Sequence, residues 1–516
     1  MIFEQADINR DGRWISMERT AQNAFSLGKL EVMIDAEGRV FLSGKEQGIY
    51  AVRLRADSAA GADCLILGDA WERAYGDLKW ERPDGKKQMP WYFMAHRTTD
   101  KCNYGFGVKT LPNAMCFWQC DESKITLTLD VRNGSRGLEL HGRCLLLCEL
   151  VTGEWDTDAF SAMCLFCEAM CGQPRPVNAH IYGGNDWYCN YGDNSFEKIL
   201  LHTKRIAECA KGCPVRPYMV VDDGWELAYH PGDDEFSGYN GGPWKYCNGK
   251  FRDMRKLAEA ISAEGVIPGI WMRPLETVEY VPSEYALKKN GVTAILDPSH
   301  PKALEMIKED IRTLASWGYK LIKHDFSTFD LWGKWGFEVT DELQLEGMEF
   351  YDSRKTTAQI IKELYFAIRE AAGDDVLIMG CNTFSHLSAG IFEIQRTGDD
   401  TSGRDWSRTK KMGVNTLAFR LPQHKRFYLA DADCAGITNE IPWEKNRQWL
   451  DVLAKSGTPL FVSIAEDAYS EEVKKGVSDA FRKSCQAAEA SRPLDWMETD
   501  SPACWESVFG KDCYQW

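Results

Sequence analysis

No run of about 20 consecutive apolar residues occurs in the chain, so no helix is expected to span a bilayer. Basic charge is also in short supply. Lysine and arginine number 61 against 77 aspartates and glutamates, a formal net charge of −16. Nucleic acid and anionic membrane surfaces both require a basic footprint, which argues against either as a partner. The first residues, Met1 to Asp7, hold no basic stretch leading into an apolar one, and a cytoplasmic location is the expectation. No Gly-x-Gly-x-x-Gly follows the first strand of the second region described below, which counts against a doubly wound dinucleotide-binding sheet. Short repeats and low-complexity linkers are absent as well. Cysteine, by contrast, is plentiful, with 18 residues. Without a leader-like segment these are expected to be reduced thiols packed as small hydrophobes. Cys164-x-x-Cys167-x-x-x-Cys171 has ligand-like spacing, but no second cluster accompanies it and Cys164 lies in the apolar run Ala162–Phe166, so no metal site is expected.

A length of 516 residues exceeds one small core. At roughly 100–200 residues per domain it predicts two to four domains. Hydrophobic content of 44% and charged content of 27% place the chain among ordinary globular proteins. Residues 1–175 look β-rich. Leu30–Ile34 and Val40–Leu42 flank a turn at Asp35–Gly38, and Ile125–Val131 alternates apolar and polar residues as a half-buried strand does. Asn133-Gly134 is a hairpin signal, with Leu138–Leu150 as the expected returning strand. The pattern predicts an N-terminal β-sandwich. Asp7-x-Asn9-x-Asp11-Gly12-x5-Glu18 satisfies the pattern of a calcium-binding loop. Only six residues precede it and Ile15 fills a ligand position, so a turn between two early strands is expected instead.

Beyond about residue 176 short apolar strands alternate with amphipathic stretches. Strands are expected at Ala179–Asp186, Tyr218–Asp223, Val266–Met272, Lys320–Asp325, Val376–Cys381, Ile391–Gln395, Phe427–Asp431 and Pro459–Ile464, with helices at Ala303–Trp317, Thr357–Ala372, Glu444–Ser456 and Glu471–Ala488 among others. Eight strands in this rhythm predict a (β/α)8 barrel over residues 176–488, and residues 489–516 form a short C-terminal appendage. The whole is multi-domain, α/β plus β.

Several of these strands end in acids, which are costly inside a core and useful at the open end of a barrel. In Lys323-His324-Asp325 alternation puts Lys323 and Asp325 on one side and His324 on the other. A carboxylate beside a lysine stays ionised, as a nucleophile must, although a buried Lys–Asp pair gives the same pattern. Asp222-Asp223-Gly224-Trp225 ends another strand, where adjacent carboxylates can accept vicinal sugar hydroxyls, or simply cap a turn. Trp271, in Gly269-Ile270-Trp271, is either barrel core or a wall against a sugar face. Arg396-Thr397-Gly398-Asp399-Asp400 offers a general acid near a cation, and spacing alone leaves Asp399 and Asp400 in competition. Asp431-Ala432-Asp433, with no cation next to it in sequence, looks like a capping segment. Two acids flanking a sugar ring are the minimum equipment for breaking a glycosidic bond.

Taken in order, Asp222-Asp223-Gly224-Trp225, Gly269-Ile270-Trp271, Lys323-x-Asp325, Cys381 and Arg396 with Gly398-Asp399 resemble the α-galactosidases called melibiases, glycoside hydrolase family 36, and their clan relatives, across about residues 180–465. The resemblance implies a retaining hydrolase of terminal α-galactosides without a cofactor. It makes Asp325 the nucleophile and Asp399, directly after a small residue, the acid/base, with Asp400 the runner-up. Asp222 and Asp223 would bind the O4 and O6 side of the sugar, Lys323, Arg396 and Cys381 would lie around the ring, and Trp271 would line the pocket. The family's N-terminal sandwich lends an aromatic to the site, for which Trp71, Trp80 and Trp91 are the candidates. In the family a glycine-rich stretch follows the cysteine, whereas here Asn382-Thr383-Phe384-Ser385-His386 does. Asn382 is therefore expected to touch the sugar's C2 substituent, which leaves α-N-acetylgalactosaminides, or galactosyl transfer, open as alternatives. Arg273 is a second departure, suited either to an anionic substrate group or to an internal ion pair. A non-catalytic sugar-binding barrel is the alternative of another class, and it is disfavoured because both carboxylate positions are filled. An oligosaccharide or glycoside is the expected partner, with homo-oligomerisation left open and no metal expected.

Overall fold

A computed structural model describes the chain except for residues 59–62, 176, 178–179, 233–237 and 341–346. Its centre is a sheet of nine parallel strands: β1 (Tyr182–Asn185), β2 (Tyr218–Val221), β3 (Ile267–Met272), β4 (Leu321–His324), β5 (Leu377–Gly380), β6 (Ile394–Arg396), β7 (Leu429–Asp431), β8 (Cys434–Ile437) and β9 (Leu460–Ile464). Their spatial order is β7-β6-β5-β4-β3-β2-β1-β9-β8. The two edge strands are neighbours in sequence, separated only by Ala432 and Asp433; β7 pairs with β6 and β8 pairs with β9. Seven of the eight expected runs contain one of these strands whole and the eighth, Ile391–Gln395, overlaps β6, which continues to Arg396; Ala179 lies outside the described residues. β2 reads Tyr-Met-Val-Val and is buried throughout, as a parallel strand covered on both faces should be.

Helices lie between most of these strands. Pro301–Ser316 buries Ala303, Ile307, Ile311 and Leu314, a single stripe at helical spacing. It packs against Thr357–Ala372, which opens with a capping box of Thr356 and Gln359 and stops at Gly373. No helix among the described residues is long and apolar enough to cross a membrane.

The N-terminal region forms two antiparallel sheets, of six and eight strands. They meet through Trp118 of one, whose ring lies 6.1 Å from Phe93 and 6.4 Å from Phe106 of the other. Leu30–Ile34 pairs with Arg39–Ser43 across the expected turn. The calcium-like pattern is a hairpin between Gln5–Arg10 and Arg13–Ser16, and Asp7 is taken by Arg55 at 2.7 Å and Arg53 at 3.1 Å. The hairpin expected at Asn133-Gly134 does not form. Cys144–Trp155 instead joins the other sheet, between Arg39–Ser43 and Asn103–Val108. The turn is used for docking: the Asn133 amide donates to the carbonyls of Asp352 and Lys355 at 3.0 and 2.8 Å.

A small sheet of Arg492–Pro493, Cys504–Ser507 and Gly510–Cys513 ends the chain. Cys504 and Cys513 face each other in register and are joined by a disulfide, so the expectation of reduced thiols throughout fails at this pair. Cys167 and Cys171 of the ligand-like triplet are core residues at the helix Ala159–Met170.

Candidate active site

The carboxyl ends of β2, β3, β4 and β6 open into one pocket lined by Asp222, Asp223, Trp271, Lys323, Asp325, Asp399 and Asp400. Parallel α/β sheets place ligand sites at this end because each strand delivers a loop there. Asp325, directly after β4, is 7% exposed. Its Oδ2 accepts from the Trp271 indole at 3.1 Å, and its Oδ1 from the backbone N–H groups of Phe326 and Asn382 at 2.8 and 3.2 Å. A hydrogen bond to a charged group contributes about 1.5–3 kcal/mol, so three of them offset much of the several-kcal cost of burying the charge. Burial alone would push the carboxyl's pKa up. The Lys323 and Arg73 cations, with the bonds from Trp271 and Phe326, outweigh it and hold Asp325 below the ordinary aspartate value. His324 points the other way, into the rings of Tyr365 and Phe392.

Lys323 reaches across to Asp222 Oδ2 at 2.8 Å, and Asn185 of β1 donates to the same oxygen at 2.5 Å. The Asp223 side chain accepts from Asn240 at 2.8 Å. Burial, reinforced by the charges of Asp222 and Asp325, pushes Asp223 up to about 6. Arg273 is fully used inside the protein: it holds Asp330 in a fork, Glu276 at 2.7 Å and Asn240 at 2.6 Å.

Asp399 and Asp400 differ sharply. Asp400 accepts from Arg396 at 2.9 Å and from the Trp187 indole at 3.3 Å. Desolvation pushes its carboxyl up, but Arg396, Arg73, Lys323 and Arg408 together hold it down at about 2. Held ionised in this way, Asp400 is an acceptor and not a proton donor. Asp399 is gripped by two guanidiniums, Arg73 Nη2 on Oδ1 at 3.0 Å and Arg408 Nη2 on Oδ2 at 2.7 Å. Gly398 before it passes very close to other chain: a Cβ there would lie 2.1 Å from the Met412 carbonyl oxygen and 2.5 Å from Thr416 Oγ1. Only glycine fits that approach.

Three of the sequence-derived positions stand behind the pocket instead of lining it. Arg396 is 2% exposed and locked to Asp433 at 2.7 Å. Cys381 faces the guanidiniums of Arg396 and Arg73 at 3.4 and 3.8 Å. The Asn382 side chain, expected at the sugar's C2 substituent, is turned away: its amide donates to Glu72, and its oxygen accepts from the Phe329 N–H at 3.0 Å. Its backbone, not its side chain, touches Asp325.

The N-terminal region does lend an aromatic to the pocket, Tyr75, but not one of the three tryptophans expected. Trp71, Trp80 and Trp91 are all core residues, and Trp80 packs edge-to-face on Trp496 of the appendage. The residues that do reach the pocket are Arg73 and Tyr75, on the loop after the strand Cys64–Gly68. That loop is stitched to the Asp399 loop by backbone bonds, Ala74 N to Thr397 O at 2.8 Å and Asp399 N to Ala74 O at 3.1 Å. Its base is pinned where Asp69 takes a fork from buried Arg420 at 2.8 and 3.2 Å. Fully buried Glu72 accepts from Tyr75 at 2.5 Å, from the Gly336 N–H at 3.0 Å and from Asn382, and so ties this loop to the loops after β4 and β5. Asp433, read as a cap, is the main counter-ion of Arg396, which no sequence adjacency shows. Arg408 and Asn240 were also missed.

No family model matches the chain. Solved structures do resemble it. An α-galactosidase from Thermus thermophilus in complex with p-nitrophenyl α-D-galactopyranoside is 15% identical, with a TM-score of 0.61 and coverage of 99% of each chain. The galactosidase domain of an α-galactosidase–sucrose kinase is 14% identical at a TM-score of 0.61, over 98% of this chain and 78% of that one. A family 36 α-galactosidase from Geobacillus stearothermophilus in complex with 1-deoxygalactonojirimycin is 13% identical at a TM-score of 0.59, over 98% and 76%. At such identities the likeness shows a shared fold.

Proposed function

We propose that the protein is a retaining glycoside hydrolase that removes terminal α-galactosyl groups, on a (β/α)8 barrel in which β7 and β8 are two halves of one strand. The observation that carries this reading is the meeting of Asp325 and Asp399 in one pocket, with Lys323, Asp222 and Trp271 around them. The fold shared with α-galactosidases solved with galactosides and with stachyose adds support. Asp325 attacks the anomeric carbon while Asp399 gives a proton to the departing oxygen. Water then opens the galactosyl-enzyme with Asp399 acting as base. Asp222 and Asp223 accept sugar hydroxyls, and Trp271 both walls the ring and orients the nucleophile. No step calls on a cofactor.

A panel of 4-nitrophenyl α- and β-glycosides tests this directly. Release from the α-galactoside, with the β-galactoside inert, is the expected result; preference for a β-glycoside or for another α-hexoside contradicts it. The pH profile gives a second test. A carboxyl pushed up to about 6 is protonated below that pH, so Asp223 gains a proton and loses acceptor sites as the pH falls through about 6. kcat/KM should decline on that side, and Asp223→Asn should remove the acidic limb. An identical limb in the variant would assign it to another group.

A further inference from the structure

Both oxygens of Asp399 are occupied by guanidiniums, Oδ1 by Arg73 and Oδ2 by Arg408. A leaving group that takes its proton from Asp399 must therefore come up against both. The two arginines are not alike. The Arg73 side chain is 7% exposed and its other nitrogens face Tyr75 and Cys381 at 3.4 and 3.8 Å. Arg408 is 38% exposed, its Nε is spent on the Asp400 carbonyl oxygen at 2.6 Å, and its Nη1 has no partner among the described residues. Lys288 and Lys334 line the same pocket, and neither has a hydrogen-bond or ion-pair partner among the described residues. Each acid of the pocket has at least one protein donor: Asp222 has Lys323, Asp223 has Asn240 on Oδ2 with Oδ1 left without a hydrogen-bond partner, Asp325 has Trp271, Asp330 and Glu276 have Arg273, and Asp400 has Arg396. Arg408, Lys288 and Lys334 thus keep unspent charged donors in the pocket, beside neutral ones such as the Trp332 indole, in a chain whose net charge is −16. A neutral sugar needs no such surplus; anionic oxygens take charge-assisted bonds from it.

We infer that the natural substrate carries an anionic group, a carboxylate or a phosphate, on its leaving-group side, received by Arg408 and Lys334. This rests on the proposed α-galactosidase reading. It also gives Arg408 a second task. Turning toward the anion, the guanidinium releases Asp399 Oδ2 to face the departing oxygen, so that a substrate of the right charge completes its own proton donor.

The test compares 4-carboxyphenyl, 4-phosphonophenyl and 4-carbamoylphenyl α-galactosides in wild-type protein and in Arg408→Gln and Lys334→Gln. At least one anionic substrate should exceed the neutral amide by about tenfold in kcat/KM, and the better one identifies the anion. That ratio should fall toward one in both variants, whatever happens to absolute rates. A wild-type ratio near one or below overturns the inference, and a high ratio that both variants keep overturns the assignment to these residues. If 4-nitrophenyl α-galactoside is also inert, the α-galactosidase reading falls and the inference with it; if it is hydrolysed while the ratio stays near one, only the inference falls.

Discussion

Asp325→Asn should lower kcat/KM for 4-nitrophenyl α-galactoside by about 10⁴-fold or more, the scale on which loss of a nucleophile is felt. The protein should stay folded. The carboxylate is a buried charge held by three donors, and an amide of the same shape keeps an acceptor oxygen for the two backbone N–H groups. What it loses is the negative oxygen facing the sugar. Because a 4-nitrophenolate leaves without much protonation, the defect cannot be repaired by choosing a better leaving group. Thermal unfolding and circular dichroism would report the fold, and initial rates the chemistry. Activity within about tenfold of wild type in a folded variant would place the nucleophile elsewhere.

The second large effect concerns Asp399. Asp399→Ala should cost about 10²–10⁴-fold with an unactivated leaving group and far less with 4-nitrophenol, because only the former needs a proton. With the activated substrate the second step becomes limiting, since water has lost its base. Azide needs no base, so it should restore turnover and give α-galactosyl azide, the product of retained configuration. Asp400→Ala should show no such rescue. Its carboxyl is held at about 2 by Arg396, Arg73, Lys323 and Arg408, so it has no proton to give, and its loss should appear as weaker binding. Rescue in Asp400→Ala, without rescue in Asp399→Ala, would exchange the two roles.

Much of the scaffold could be read from the chain because its signals are local. A short apolar run, in four of eight cases ending in an acid, repeated with amphipathic stretches between, is a property of neighbouring residues, and each of the eight runs overlaps a parallel strand. Asp222, Asp223, Asp325, Asp399 and Asp400 are legible for the same reason, since they end or follow three of these runs, whereas Glu276 and Asp330 of the same pocket are not. What escaped depends on pairs far apart in sequence. Arg73 meets Asp399 across more than three hundred residues, and nothing in Trp71-Glu72-Arg73 signals it. The three tryptophans stand out as large apolar residues, yet all three are spent on buried packing, Trp80 on Trp496 and Trp91 on His386 among others. Asn382 shows a third limit. Expected at the sugar's C2 substituent, it instead gives its backbone N–H to Asp325 and its side chain to buried Glu72, an acid that needs donors more than the pocket needs an amide. Asn133-Gly134 has ideal hairpin chemistry and was still overruled, because carbonyls near residue 355 gave its amide a buried partner.

The most direct test of Asp325 as nucleophile is covalent trapping. Incubation with 5-fluoro-α-galactosyl fluoride should slow both steps but leave a good leaving group, so the galactosyl-enzyme accumulates. Digestion and mass spectrometry should then find the fluorosugar on the peptide containing Lys323-His324-Asp325, and none on that peptide from Asp325→Asn. A label on the peptide containing Asp399 and Asp400, or turnover of the reagent with inversion and no label at all, would contradict the mechanism.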